Sequence, residues 1–351
     1  MSATAPNALQ SAIHKLAFHE PLTGEDAERA FDVVMRGEAT AVQIASLLSA
    51  MRAAGESPEV VAGVVRALRS AMVSLPAENP GDLVDTCGTG GGTVTTFNIS
   101  TVAAIVAAGA GVRVAKHGNR SFTTRCGSAD VLEALGVPID VPLPVREEAL
   151  RQTGIVFMFA PLMHPAMRHV GPIRRELGVP TVMNVVGPLA NPARAGRQVV
   201  GVADLERAPV LAGALSVLGS VHALVVYGEP GLDEVSPLGP THVVEVVNGA
   251  TKRWTIHPEE HGYKKVSRED LAGSEPADNA RLIEKILEGS GPKGARAATV
   301  LNAAAAIYVS GRVRSFADGV AAAEKSIDSG AAEEVLKKMK RAYTTPAAST
   351  A

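Results

Sequence analysis

The sequence is poor in cysteine and in aromatic residues. Its 351 residues include two cysteines, Cys87 and Cys126, which lack the Cys-x-x-Cys spacing of zinc sites. Two such thiols argue against a disulfide framework and fit a reducing compartment, so we expect a cytoplasmic protein. Aromatic residues make up 3% of the chain and hydrophobic residues 46%, so the core must consist mainly of alanine, valine and leucine. Such a core is typical of helices packed closely on a parallel sheet.

The chain also lacks an excess of charge and a long apolar run. Its formal net charge is −2, with acidic and basic residues interspersed, so broad electrostatic attraction to nucleic acid or to an anionic membrane is not indicated. The longest apolar run, Val102–Val112, is interrupted by glycine and too short to cross a bilayer. No basic segment followed by an apolar one opens the chain, so we expect no signal peptide. Neither nucleic acid nor a membrane is an expected partner.

Glycine, in contrast, is concentrated in one segment. Residues 85–92 read Asp-Thr-Cys-Gly-Thr-Gly-Gly-Gly and follow a short apolar strand. Glycines allow positive φ and let bare backbone N–H groups approach a ligand, although many glycine loops are only tight turns. Asn98, Ser100 and Thr101 offer N-caps for the helix that follows. Because N–H groups and a helix N-terminus both favour negative charge, the segment predicts an anion site, of neither the Rossmann nor the Walker type.

A basic segment follows the next predicted strand, Val112–Ala115. It contains Lys116, His117, Asn119 and Arg120, and its alternative interpretation is a solvated turn. Parallel strands deliver their loops to one edge of a sheet, so these side chains are expected near the glycine loop, where a lysine acts as a point charge on phosphate. A lone histidine is more often structural than catalytic, so His117 is not assigned as a base. The two loops together suggest a ligand with more than one phosphate.

Two further features bear on a polyphosphate site. Asp233 and Glu234 follow the predicted strand Ala223–Tyr227, and carboxylate oxygens beside a polyphosphate commonly hold Mg²⁺; a solvated acidic turn is the alternative. Arg174 lies on a helical segment, and arginine pairs with planar carboxylates through two hydrogen bonds. Its alternative role is a surface ion pair with a neighbouring glutamate.

The order of the predicted elements indicates an α/β protein. Residues 1–76, joined by about 161–183, are predicted to form a small all-helical domain, and residues 82–345 a large α/β domain. Alternating strands and helices in the second part predict a mostly parallel central sheet flanked by helices. The segments 76–81 and 184–192 connect the two parts, and we expect a hinge there that excludes water on closure.

Local signals mark the ends of several elements. Thr40 with Gln43 forms a capping box at a helix start. Ser128 is the expected N-cap of the helix after the basic segment. Asn248-Gly249 between two β-forming runs is the signal of a hairpin with a type I′ turn.

Three motifs in fixed order carry a family resemblance: Gly88-Thr-Gly-Gly, Asn98-Ile-Ser-Thr and Lys116-His-Gly-Asn-Arg. With them, the chain resembles the anthranilate phosphoribosyltransferase family. The matching segments are 85–101, 116–136, 159–178, 184–192 and 227–241. The resemblance implies a nucleoside phosphorylase/phosphoribosyltransferase-like fold and a homodimer through the helical part. It also implies transfer of phosphoribose from phosphoribosyl pyrophosphate (PRPP) to the amino group of anthranilate, with Mg²⁺, in tryptophan biosynthesis.

The resemblance also assigns site residues. Those expected to hold PRPP are Gly88, Gly91, Gly92, Thr96, Asn98, Ile99, Ser100, Thr101, Lys116, His117, Gly118, Asn119, Arg120, Ser121, Phe122, Thr123, Thr124 and Ser128. Anthranilate is expected on Gly88, Asn119 and Arg174, and Mg²⁺ on Ser100, Asp233 and Glu234. Lys116 and Arg174 are the expected catalytic residues. Two positions depart from the family pattern: Gly92 stands where many members have aspartate, and Met163 where a polar or aromatic residue is common.

The implied reaction needs little acid–base chemistry. An aromatic amine is neutral at pH 7, so the expected demands are stabilisation of the departing pyrophosphate and orientation of the acceptor. Two alternative functions are a pyrimidine nucleoside phosphorylase, which shares the architecture but lacks Asn-Ile-Ser-Thr and the acidic pair, and an inactive transferase-like protein that binds nucleic acid. The second alternative predicts a basic surface and damaged phosphate loops.

Overall fold

The structure, a computed structural model, describes residues 7–121, 125–264 and 266–344. Four helices come first: α1 (Ala8–Ala17), α2 (Gly24–Met35), α3 (Ala41–Ala54) and α4 (Pro58–Ser70). Each begins after a residue whose side chain accepts a hydrogen bond from the first turn. The predicted capping box is confirmed, since Thr40 Oγ1 accepts from the Gln43 N–H at 3.3 Å. Their apolar faces meet in a buried cluster.

Close backbone contact fixes the packing of α2 on α4. A Cβ atom on Gly63 would overlap the carbonyl group of Gly24, and its distance to the carbonyl carbon would be 2.9 Å. Only glycine at Gly63 lets the two helix backbones approach this closely. The pair therefore holds the helical part in one arrangement.

The rest of the chain alternates strands and helices after a 3₁₀ turn at Pro80–Asp82. The strands are β1 (Val84–Gly88), β2 (Val114–Gly118), β3 (Ile155–Phe159), β4 (Arg197–Gly201), β5 (His222–Gly228), β6 (Thr241–Val247) and β7 (Ala250–Ile256). The helices are α5 (Ile99–Gly109), α6 (Ser128–Ala134), α7 (Leu143–Thr153), α8 (Ala160–Met163), α9 (Gly171–Leu177), α10 (Arg207–Val217), α11 (Pro276–Leu287), α12 (Lys293–Val309), α13 (Phe316–Asp328) and α14 (Ala331–Thr344).

The seven strands form one sheet in the order β3-β2-β1-β4-β5-β6-β7. The first five are parallel, and β6 and β7 add an antiparallel hairpin at one edge. Asn248 and Gly249 have φ of 47° and 86°, as the predicted type I′ turn requires. Gly88 pairs with Gly201, so β1 and β4 end at the same level. The predicted class, a helical N-terminal part followed by a mostly parallel α/β part, is confirmed.

Of the three predicted N-caps of α5, Asn98 occupies the N-cap position, whereas Ser100 and Thr101 do not. The helix begins at Ile99, so Ser100 and Thr101 lie inside its first turn instead of capping it. Asn98 occupies the N-cap position but makes no side-chain capping bond, because its amide is used elsewhere. The backbone N–H groups of the first turn of α5 are therefore available to other partners, and that of Ser100 donates to Glu234.

The predicted cap of α6 is wrong. Gly127 is the N-cap residue, and Ser128 is the first residue of the helix. The Gly127 N–H donates to Asp130 Oδ2 at 2.8 Å, so an acidic side chain inside the helix reaches back to the cap. Ser128 is free to bond elsewhere.

One apolar cluster joins the N-terminal helices to the sheet. It includes Leu48 and Val64 of the helices together with Val200 of β4 and Leu211 of α10. The α9 helix packs against α3. Because this cluster is continuous, the division into residues 1–76 with 161–183 and residues 82–345 stays a prediction. In the described part of the chain, every helix falls short of the length and hydrophobicity needed to cross a bilayer.

Candidate active site

Lys116 lies in the middle of the site. It is 3% exposed, and its Nζ donates to the carbonyl of Thr86 in β1 and to Ser100 Oγ in α5, the latter at 3.1 Å. Burial lowers the pKa of Lys116, while the nearby Asp85 and Glu234 carboxylates act to raise it. A buried ammonium group therefore joins two strands to the first turn of α5.

Asp233 and Glu234 lie on the loop after β5, and the Glu234 carboxyl acts on the Lys116 ammonium. Asp233 Oδ2 accepts from the Gly90 N–H at 2.8 Å, and Glu234 Oε1 accepts from the Ser100 N–H at 3.2 Å. Burial raises the pKa of both carboxyls, that of Glu234 to about 8, with the Asp233 charge as a second cause. The acidic pair is thus part of the site and not a solvated turn. The raised pKa values show that nearby positive charge does not fully balance the two carboxylates.

These groups suit Mg²⁺, which prefers carboxylate, hydroxyl and phosphate oxygens. Two carboxyls with raised pKa values gain from a cation. The Ser100 N–H bonds one of them, and the Ser100 hydroxyl accepts from Lys116. Among the described residues no three His, Cys, Asp or Glu side chains cluster closely enough to hold a metal by themselves. The arrangement fits a cation that also takes oxygens from its ligand and from water.

The glycine loop rests directly on the acidic loop. A Cβ on Gly88 would overlap the Asp233 carboxylate, whose Cγ would lie 2.9 Å away. A Cβ on Gly92 would lie 2.8 Å from the carbonyl oxygen of Gly231. Glycine at position 88 therefore leaves room for the Asp233 carboxylate and keeps the loop backbone accessible to a ligand. Glycine at position 92 allows the glycine loop and the acidic loop to lie in close contact.

Asn98 ties the glycine segment to the second loop. Its Nδ2 donates to the Cys126 carbonyl at 3.1 Å, and its Oδ1 accepts from Asn279 Nδ2 at 3.1 Å and from Cys126 Sγ at 3.2 Å. Ile99 and Thr101 are buried, so their backbones are the parts available to a ligand. Asn98 is half-buried, and both ends of its amide are bonded to protein atoms.

Arg120 is already paired. Its guanidinium bonds Asp130 at 2.8 Å and Glu133 at 2.6 Å, and it lies 5.6 Å from the Phe159 ring centroid. The predicted contact of Arg120 with phosphate requires that it compete with two carboxylates of α6.

The other predicted phosphate contacts are spread along the two loops. Asn119 accepts at its carbonyl from Ser128 Oγ at 3.2 Å, and a Cβ on Gly118 would overlap that hydroxyl. Gly91 has open space around it and φ of +82°, and Thr96 forms a β-bridge with Ala272. Ser121 donates its N–H to Asp130. Phe122, Thr123 and Thr124 lie outside the described residues.

Arg174 is separate from the lysine and the acidic pair. It lies on α9, and burial lowers its pKa. In the described part of the chain its side chain has neither a hydrogen bond nor an ion pair, so the alternative role as a surface ion pair is not realised there. A partly buried guanidinium with open donors suits an anionic group.

His117 and His164 form a pair that the sequence did not indicate. Their ring centroids are 5.0 Å apart, and the rings hydrogen-bond to the backbones of Gly187 and Ala190. Burial lowers the pKa of His117 to about 3 and that of His164 to about 4. In each ring Nε2 is buried and unpartnered within the described residues. Both imidazoles are therefore neutral at pH 7 and too weakly basic for proton abstraction.

Comparison with known proteins agrees with this architecture. The family model "Glycosyl transferase family, a/b domain" matches residues 80–333, and "Glycosyl transferase family, helical bundle domain" matches residues 10–72. The fold and site thus define a glycosyl transferase with a helical bundle and an α/β part.

The individual proteins to which this chain is similar identify its family within the glycosyl transferases. The anthranilate phosphoribosyltransferase of Anaeromyxobacter dehalogenans is 47% identical over 97% of this chain and 100% of its own length. The crystal structure of the Thermus thermophilus enzyme is 41% identical, with a TM-score of 0.90, covering 95% of this chain and 99% of that one. The Saccharomyces cerevisiae enzyme in complex with PRPP and Mg is 30% identical, with a TM-score of 0.86 and coverage of 96% and 98%. The chain belongs to the anthranilate phosphoribosyltransferase family.

Replacing Gly88 tests the contact between the two loops. Gly88→Ala is expected to displace the Asp233 carboxylate, because overpacking of this kind costs about 1–3 kcal/mol, and so to weaken binding of a divalent cation with PRPP about tenfold or more. Titration calorimetry with PRPP and Mg²⁺ measures the effect. Thr89→Ala, on the same loop, is the control and should bind as the parent does; equal affinity of both variants would contradict the assigned contact.

Proposed function

We propose that this chain transfers the phosphoribosyl group of PRPP to the amino group of anthranilate, in tryptophan biosynthesis. The products are N-(phosphoribosyl)anthranilate and pyrophosphate. The observation that carries the proposal is the convergence of Lys116, Ser100 and the Asp233-Glu234 pair on the glycine loop, at the carboxyl edge of the sheet. Membership of the family supports the same reaction.

The pyrophosphate end of PRPP is assigned to the glycine loop and α5. The backbone N–H groups of Gly91 and Gly92 and the helix N-terminus favour the phosphate charges. Lys116 lies close enough to Ser100 to share in neutralising them. Mg²⁺ on Asp233, Glu234 and Ser100 would offset the negative charge that builds on pyrophosphate as the C1–O bond breaks. The protein's own donors act on the same charge, and they are in place before the reaction.

The acceptor is assigned to Arg174 and the two histidines. The open guanidinium donors of Arg174 suit the anthranilate carboxylate, and the unpartnered Nε2 atoms of His117 and His164 can accept from its amino group. The amine nitrogen attacks C1 with its own lone pair, and pyrophosphate leaves with the electrons of the C1–O bond. The positively charged nitrogen then loses its proton to water. Because the free amine is neutral, imidazoles with such low pKa values suffice to orient it.

The proposal is tested by the loss of anthranilate fluorescence. Purified protein with PRPP, Mg²⁺ and anthranilate should consume anthranilate and release one pyrophosphate for each molecule consumed. Omitting Mg²⁺ should reduce the rate at least about tenfold, because the charge on the leaving group is then less well offset. Phosphorolysis of thymidine or uridine, assayed in parallel, should be absent; phosphorolysis without anthranilate consumption would favour a nucleoside phosphorylase instead.

Arg174 gives a sharper test of the acceptor site. Arg174→Ala removes charge-assisted hydrogen bonds worth about 1.5–3 kcal/mol, so the KM for anthranilate should rise about tenfold or more while the KM for PRPP changes little. Steady-state kinetics with each substrate varied in turn measures both constants. Arg175→Ala, at the neighbouring position on the same helix, is the matched control. An equal rise in both KM values would remove Arg174 from this role.

We further propose a homodimer formed through the helical part. Val42 on α3 is 75% exposed and Phe18 at the end of α1 is 66% exposed, and large exposed apolar side chains are typical of contact surfaces. Val42→Glu should shift the protein from dimer to monomer in sedimentation velocity. Val247→Glu, at a 40% exposed position of β6, is the control. A parent protein that sediments as a monomer would contradict the proposal.

A cytoplasmic location is proposed with it. Cys87 and Cys126 are both in the thiol form, as is usual in a reducing compartment. The substrates assigned above are small phosphorylated and aromatic metabolites, which fits the same compartment.

A further inference from the structure

Two loops of the proposed site are each anchored by one buried asparagine. Asn191 is fully buried at the end of the segment 184–192, and Asn302 is 3% exposed in the middle of α12. Buried amides are costly unless they are hydrogen-bonded, and both are extensively bonded. They differ in which loop they hold.

Asn191 joins the segment 184–192 to the centre of the sheet. Its Nδ2 donates to Asp85 Oδ2 in β1 and to the Ala115 carbonyl in β2, both at 2.8 Å. Its Oδ1 accepts from the Ala193 N–H at 2.9 Å. Asp85 is fully buried, and its other oxygen accepts from the His117 N–H at 3.1 Å. One carboxylate thus fixes both the segment and the histidine beside it.

The same segment orients both imidazoles. His117 and His164 hydrogen-bond to its backbone at Gly187 and Ala190. Two further side chains hold it in place: Gln198 Nε2 donates to the Pro188 carbonyl at 2.8 Å, and Arg69 Nη2 to the Leu189 carbonyl at 2.7 Å. A displacement of this segment therefore moves the histidines assigned to the acceptor.

Asn302 holds the acidic loop instead. Its Oδ1 accepts from the Val235 N–H and its Nδ2 donates to the Val235 carbonyl, both at 2.8 Å, with a third bond to the Ala298 carbonyl at 2.9 Å. Val235 follows Glu234 directly and is fully buried. A side chain of α12 thereby sets the position of the carboxylate that accepts from Ser100.

We propose that Asn191 and Asn302 are positioning residues with separate effects on the two substrates. Asn191 acts through Asp85 and the segment 184–192 on the acceptor, and Asn302 acts through Val235 and Glu234 on PRPP. This inference rests on the function proposed above. Both asparagines have their hydrogen bonds to protein atoms, so each acts through the loop that it holds.

The test is a crossed comparison of Asn191→Ser and Asn302→Ser. Serine keeps a hydroxyl but cannot span either set of bonds. Asn191→Ser should raise the KM for anthranilate about tenfold or more, since the segment 184–192 loses its bonds to β1 and β2. It should leave the KM for PRPP within about twofold, since Asp85 keeps its charge beside Lys116. Asn302→Ser should raise the KM for PRPP about tenfold or more and leave the KM for anthranilate within about twofold. It should also raise the Mg²⁺ concentration needed for half-maximal rate. Loss of stability alone, or equal effects on both KM values in both variants, would overturn the inference.

Hydrogen exchange of the parent protein tests the same separation of the two loops without any substitution, so it does not depend on whether a variant folds. PRPP with Mg²⁺ should protect residues 229–236, and subsequent addition of anthranilate should protect residues 184–195. Protection of the two segments in one step with PRPP would overturn the separation. If the parent protein forms no product, the proposed function itself is refuted. If the parent protein is active but the two variants do not change different KM values, only this inference is refuted.

Discussion

The buried ammonium group of Lys116 is the interaction on which the site depends. It lies among Thr86, Ser100 and the carboxylates of Asp85 and Glu234, in a sheet whose core is largely alanine and valine. An isolated charge in such surroundings would be very unfavourable. The opposite charges around it make the burial tolerable, and they lie on β1 and on the loop after β5. The charge of Lys116 is therefore neutralised only where β1, β2 and the loop after β5 come together in the folded sheet.

Much of the rest follows from how tightly the loops pack around that centre. Gly88 leaves space for Asp233, and the acidic loop in turn bonds the glycine loop at Gly90. Asn98 links the first loop to the second at Cys126. These loops are thus bonded to each other by the protein's own groups, and donors fixed in this way need little rearrangement to bind a polyphosphate.

The sequence predicted the local features and missed most of the long-range ones. The strand expected at Ala223–Tyr227 lies within β5, and the turn at Asn248 has the expected backbone, because apolar runs and Asn-Gly pairs act over a few residues. Asn98 was expected to face PRPP, yet its amide is bonded to Cys126 and Asn279, far along the chain.

The other differences between the predicted and the observed structure also come from contacts between residues that are distant in the sequence. His164 pairs with His117 only through the fold, so no spacing rule could connect them. The starts of α5 and α6 were misplaced because contacts made by the folded chain, such as those of the Asn98 amide, decide which residue caps each helix.

The apolar cluster shared by the N-terminal helices and the sheet limits how the molecule can open. A swing of the helical bundle as a unit would expose Leu48, Val64 and Leu211 to water and would break the ion pair of Glu56 with Arg207, whose atoms are 2.7 Å apart. The hinge expected at 76–81 and 184–192 stays a prediction, and a closure about it that excludes water has to keep this shared core intact. Small tilts that leave the apolar side chains in contact satisfy that condition, whereas a wide opening does not.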